Sequence, residues 1–545
     1  MVITCGPAEN AKSGTDANIL GRFSCVFHAI LPWAQMGRCQ WFFREPGHRI
    51  LLWFLWLVDL FAECTFRRLG CLHDRTSFDP SHQVSLALQY DLHDKDSEEQ
   101  TYDDCFHEEA LAMVLPGLWN WYVNGRLFPK LMIQPSLRRK RLVEKSYNCL
   151  AKENRDDLLP ASLWIVGLPR TGSTFLHKLL ALDPSGYAPR QWELRTPVSI
   201  SSEQGNPVTG AGDTRLKECR DLNQATYSVM PKLKHIHNVA ADDPDECVIG
   251  FTDCAFPEYY LWGCRDMQSA YDWYMRDGAM TEQYENYKKL LHVLCSNYHA
   301  KTSGASSSAT TKPSHLVLKS PHHTAKLQNI FDVFQQKGIR GGSPPVFIWL
   351  HRRLENVVAS TCSMNETLND YTDVHYTSRS TLGKRTLDRL SEVMEAGLQQ
   401  REQLESSGSP VKFIDIYYDD LVQDPVGVVS RIYQECGLVL SNSFSSHLTR
   451  FLEKSNKKRM QRAATQVTSM HKYELADFHI NANQVHSKFL KYLDCHGAKL
   501  YGRVFPSSGS NTFSSAMKGP PLVCESRGRR RGKTPGGRRG SVASK

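Results

Sequence analysis

Sixteen cysteines are present, yet no two of them are spaced as C-x-x-C. That absence removes the ligand pairs of a zinc ribbon and the redox pair of a thioredoxin-like site. Scattered thiols suit a reducing compartment, so a cytoplasmic location is expected. No apolar run is long enough to cross a bilayer, which takes about 20 residues. The strongest, Ile50 to Phe61, spans twelve residues and holds Asp59. Polar side chains fill positions 7–17, with no charged start leading into an apolar core, so a secretory signal is not expected. The chain does not repeat itself. Its basic excess is confined to a tail. Eight basic and no acidic residues between 526 and 545 account for all but one of the net +9 charges. The remaining body is nearly neutral, so nucleic acid is not an expected partner.

What the chain does have is the composition of a globular protein, 41% hydrophobic and 23% charged. Residues 1–83 read as a variable leader. Within them Ile50–Phe61 is flanked by Arg44, Arg49, Arg67 and Arg68 and carries Trp53 and Trp56. Such a helix either lies on a membrane surface, giving peripheral contact through residues 50–68, or packs on the globular body. Residues 84–160 show helical spacing, as in Leu111, Val114, Leu115 and Leu118. An α/β domain is expected over 161–505. The Ser/Gly/Arg-rich residues 506–545 should be disordered.

Within the α/β part, four short apolar runs recur at long intervals: Leu163–Val166, Leu316–Leu318, Val346–Leu350 and Val411–Ile416. Helical patterns lie between them. That rhythm predicts a P-loop-type parallel sheet with helices on both faces, with functional residues at the carboxyl ends of its strands. The first run leads into Gly167-Leu168-Pro169-Arg170-Thr171-Gly172-Ser173-Thr174 and then an amphipathic segment. This is the strand, loop and helix of an anion cradle built from backbone N–H groups. It lacks the lysine of the nucleotide triphosphatase loop; Ser173 stands there, and the cation is Arg170. Val346–Leu350 leads into His351-Arg352-Arg353, with Ser360 eight residues past Arg352. An arginine at a strand exit and a serine on the next helix can converge on one phosphate. The alternative is an arginine paired with Glu355.

These motifs together resemble the sulfotransferases that use 3′-phosphoadenosine-5′-phosphosulfate (PAPS), in the branch with an arginine-containing loop, distantly similar to tyrosylprotein sulfotransferases. Four further stretches carry the resemblance: Ala188–Glu193, Leu318–His323, Tyr418–Pro425 and His471–Phe478. It covers roughly residues 110–495. It implies that Arg170, Thr171, Gly172, Ser173, Thr174, Arg352, Ser360 and Tyr418 bind the co-substrate PAPS. It further implies that Glu193 is the general base and that Lys319 and Arg170 stabilise the transferring group, with Ser320 assisting. No metal is implied, because a sulfate carries less charge than a phosphate. The family's usual Asp-Pro after the arginine of the 3′-phosphate site is Arg353-Leu354 here, which leaves open whether Arg352 or Arg353 meets that phosphate; the spacing to Ser360 favours Arg352. The acceptor would be a hydroxyl of a small molecule or lipid.

Other readings stand beside this one. A nucleotide or small-molecule kinase with a degenerate loop would need magnesium. A non-enzymatic nucleic-acid or membrane-binding protein would work through the tail. His322-His323 are expected to shape the pocket or cap the next helix rather than hold a metal. Asp242-Asp243-Pro244-Asp245-Glu246 reads as a solvated helix start whose charges suit the dipole, or as the rim of the acceptor entrance.

Overall fold

The computed structural model describes residues 134–152, 159–198, 214–229, 231–236, 238–254, 268–296, 313–335, 344–372, 377–464 and 473–502. The leader with its apolar segment 50–68, much of 84–160 and the tail 506–545 lie outside them.

Five strands form one parallel sheet: β1 Ala161–Val166, β2 Gly186–Tyr187, β3 His315–Lys319, β4 Val346–His351 and β5 Lys412–Tyr417. Their order is β2-β3-β1-β4-β5. The four apolar runs are β1, β3, β4 and β5. The two-residue edge strand β2 is too short to leave a pattern in the sequence.

The runs are apolar throughout because both faces of the sheet are covered. Side chains alternate between two cores. Trp164, Leu316, Leu318, Phe347 and Trp349 pack on one face, against helices Thr281–Ser296, Leu327–Phe334 and Arg379–Ser406. Leu163, Ile165, Val317, Ile348, Leu350 and Ile414 pack on the other, against Leu176, Leu179 and Leu180 of helix Ser173–Leu180 and Val428, Val429 and Ile432 of helix Pro425–Cys436.

The chain leaves β1 to one side for β2 and β3, and to the other for β4 and β5. That reversal opens a crevice at the carboxyl end of β1, where an α/β sheet binds ligands. No helix of the described residues is long and apolar enough to cross a membrane.

Candidate active site

The loop after β1 is held tightly. Gly167 has φ +120°, and a Cβ there would lie 2.6 Å from the Leu350 carbonyl oxygen of β4. The Thr324 hydroxyl accepts from the Gly167 N–H at 2.9 Å and donates to its carbonyl at 3.0 Å. Arg170 sits at φ 66°, a left-handed conformation uncommon outside glycine. Thr171 turns its hydroxyl back onto the Leu168 carbonyl at 2.8 Å, so what it has for an anion is its backbone N–H. Gly172 has φ +94°, and a Cβ would meet the Tyr418 ring at 2.8 Å. Ser173 and Thr174 open the following helix.

Residues far apart in sequence converge on this loop. Arg170 Nε donates to Ser360 Oγ at 3.0 Å, and Ser360 also shares a 3.0 Å hydrogen bond with the Tyr473 hydroxyl. Arg352 Nη1 donates to the Arg170 carbonyl at 2.7 Å. Its guanidinium lies 4.1 Å from the centre of the Tyr418 ring, a cation–π contact. Arg352 Nε is buried and has no hydrogen-bond partner among the described residues. A buried N–H of this kind invites a ligand. Arg353 goes elsewhere, donating to the Leu500 carbonyl at 3.0 Å beside the Tyr501 ring. Glu355 accepts from His486 at 2.6 Å and from Tyr501 at 2.7 Å, so the alternative pairing of an arginine with Glu355 gives way to a different contact.

Glu193 and Lys319 each have partners of their own. Glu193 Oε2 accepts the backbone N–H of Arg190 at 2.8 Å, capping its own short helix Gln191–Arg195. Burial pushes its carboxyl above the ordinary range, against hydrogen bonds from Arg190 and Tyr187 that favour the anion. Lys319, at the end of β3, is buried rather than leaving the sheet for solvent. Its Nζ meets Glu246 Oε1 at 2.7 Å. Ser320 pairs with His322 Nδ1 at 2.9 Å, and His323 Nδ1 with the Tyr284 hydroxyl at 2.8 Å. Both histidines are buried and serve the core beneath the site.

The profile of the sulfotransferase family matches residues 162–442, just over half of the chain. The chain belongs to the sulfotransferase family. Two solved structures share the fold. One is the sulfotransferase STF1 from Mycobacterium tuberculosis H37Rv (TM-score 0.52, 21% identity, 75% of this chain and 98% of that one). The other is STF9 from Mycobacterium avium (TM-score 0.52, 19% identity, 79% of this chain and 100% of that one). No curated protein matches the sequence.

In this sulfotransferase the acidic run 242–246 does lead into a helix, Cys247–Cys254, but only Asp242 is exposed there. Asp245 is buried, Asp243 meets Lys178 at 2.7 Å, and Glu246 holds Lys319. Tyr473 also escaped residue-level reading, although its stretch carried the family resemblance. A cluster of His351, Asp415 and His496 lies behind the site. Arg401 forks onto both Asp415 oxygens at 2.7 and 3.1 Å, so that carboxylate's charge is already matched. Among the described residues no cysteine is in a disulfide. Burial pushes the Cys219 thiol up to about 11 and the Cys362 thiol up to about 12, which leaves both unreactive.

Proposed function

We propose that this sulfotransferase moves a sulfuryl group from PAPS to a hydroxyl of a small-molecule or lipid acceptor in the cytoplasm, without a metal ion. The backbone of residues 170–174 takes the 5′-phosphosulfate. Arg352 and Ser360 take the 3′-phosphate, and Tyr418 supports Arg352 from below. The acceptor hydroxyl gives its proton to the Glu193 carboxylate while its oxygen bonds to sulfur. The bond from sulfur to the bridging oxygen of the 5′-phosphate breaks, and 3′,5′-diphosphoadenosine leaves with the electron pair. Lys319 and Arg170 stabilise the charge that develops on that oxygen.

The observation that supports this best is the convergence of Arg170, Ser360 and Arg352, with one guanidinium N–H of Arg352 buried and unpaired among the described residues. A phosphate-binding loop with an arginine and a serine from distant elements at its side suits a donor with phosphates at two positions of its ribose. The raised carboxyl of Glu193 suits a base that must hold a proton in the transition state. The experiment is release of 3′,5′-diphosphoadenosine from PAPS in the presence of EDTA, with and without a hydroxyl-bearing acceptor. Glu193→Gln should keep PAPS binding and lose about 10²–10⁴-fold in acceptor-dependent turnover. Undiminished turnover in that variant would move the base elsewhere, and a requirement for magnesium would overturn the donor assignment.

A further inference from the structure

Lys319 and Glu246 form a nearly dry ion pair, with side-chain exposures of 1% and 16% at a separation of 2.7 Å. A buried pair of this kind is weak evidence for stability, because well-packed apolar residues do as well. Its placement says more. The segment bearing Glu246 runs against the segment bearing Glu193. Gln191 N–H donates to the Asp243 carbonyl at 3.1 Å, Trp192 N–H to Ala241 at 3.1 Å, and Asp245 N–H to Pro189 at 3.2 Å. The same carboxylate that grips Lys319 is therefore fixed to the frame that carries Glu193. Among the described residues the other titratable groups facing Lys319 are His177, His323 and Cys247. Burial keeps both imidazoles neutral and pushes the Cys247 thiol up to about 12. Of these four groups, Glu246 is the one that meets the ammonium as an anion.

We propose that Glu246 is a positioning residue for sulfuryl transfer: it fixes the Lys319 ammonium where the bridging oxygen develops charge, and fixes it relative to Glu193. This rests on the PAPS-dependent reading above. Displacing a catalytic group by about 1 Å can cost 10²-fold in rate.

The test compares Glu246→Gln, Glu246→Asp, Lys319→Met and the Glu246→Gln/Lys319→Met double variant. The readouts are kcat and KM for diphosphoadenosine release from PAPS, and thermal stabilisation by 3′,5′-diphosphoadenosine. Glu246→Gln should lower kcat by about tenfold to hundredfold, with KM for PAPS within about twofold. Glu246→Asp should recover part of kcat. In the Lys319→Met background the Gln substitution should cost nothing further, since Glu246 acts through Lys319. Should the single Gln variant not fold, the Asp and double variants still decide, because neither leaves a buried ammonium unpaired. Wild-type kcat in the Gln variant, or additive losses in the cycle, would overturn the role of Glu246 alone. A wild-type protein that neither releases nor binds diphosphoadenosine would overturn the donor reading and this inference with it.

Discussion

Arg352 lays its guanidinium on the Tyr418 ring and the Arg170 carbonyl, while the adjacent Arg353 reaches Leu500 and Tyr501. In the sequence the spacing to Ser360 favoured Arg352 but left Arg353 open, because two adjacent arginines at a strand exit look alike until their contacts are seen. Arg352→Ala should weaken 3′,5′-diphosphoadenosine binding by about 1.5–3 kcal/mol, the worth of hydrogen bonds to a charged group. Arg353→Ala should leave that affinity unchanged and cost about 1 kcal/mol of stability. Calorimetric titration with urea melts on the same preparations checks both. Glu193 carries a pH prediction. Its carboxyl titrates above the ordinary 4.5, chiefly through burial. A base works when ionised, so the acid limb of kcat/KM should lie above that value. Stability should run the other way, because the native carboxyl keeps a proton that the unfolded one has lost. Over that interval the folded state binds more protons, and stability falls as pH rises.

Elements bring these residues together through glycine and through the C-terminal helix. At Gly172 a methyl group would strike the Tyr418 ring on a backbone at φ +94°. Gly172→Ala should therefore cost about 1–3 kcal/mol and displace the loop from its anion-binding shape. Urea denaturation and diphosphoadenosine affinity should worsen together. Helix Leu490–Tyr501 lies across the ends of β4 and β5. There the His496 ring stacks on His351 at 3.9 Å, and Tyr417 bonds His496 Nδ1 at 3.1 Å. Burial and the neighbouring His351 pull His496 from the ordinary 6.5 to about 3. Asp415 is held low by His351 and Arg401 in spite of its burial. For both, the unfolded chain takes up protons first as pH falls, so their contribution is full near neutrality and lost on acidification. His496→Phe should flatten the fall in Tm between about pH 7 and about pH 5 by up to one proton.

At the scale of the whole molecule, four strands and the loop were legible because a sheet covered on both faces writes continuous apolar runs into the sequence. The Arg170–Ser360 and Lys319–Glu246 contacts were not, because they join segments 190 and 73 residues apart. Resemblance supplied the candidates Arg170, Lys319, Arg352 and Ser360 but not their contacts. It passed over Glu246, whose partner is visible only once β3 is in place. The basic tail plays no part in this account of turnover. Deleting residues 506–545 should leave kcat and diphosphoadenosine affinity unchanged, and a loss of either would give the tail a role at the site. The central claim is a cradle for a donor with phosphates at two positions of one ribose and no divalent ion. Thermal stabilisation by 3′,5′-diphosphoadenosine and by ATP, each with and without magnesium, tests it directly. The account predicts a large rise in Tm with diphosphoadenosine that magnesium does not alter, and little with ATP. A preference for ATP that appears only with magnesium would contradict it.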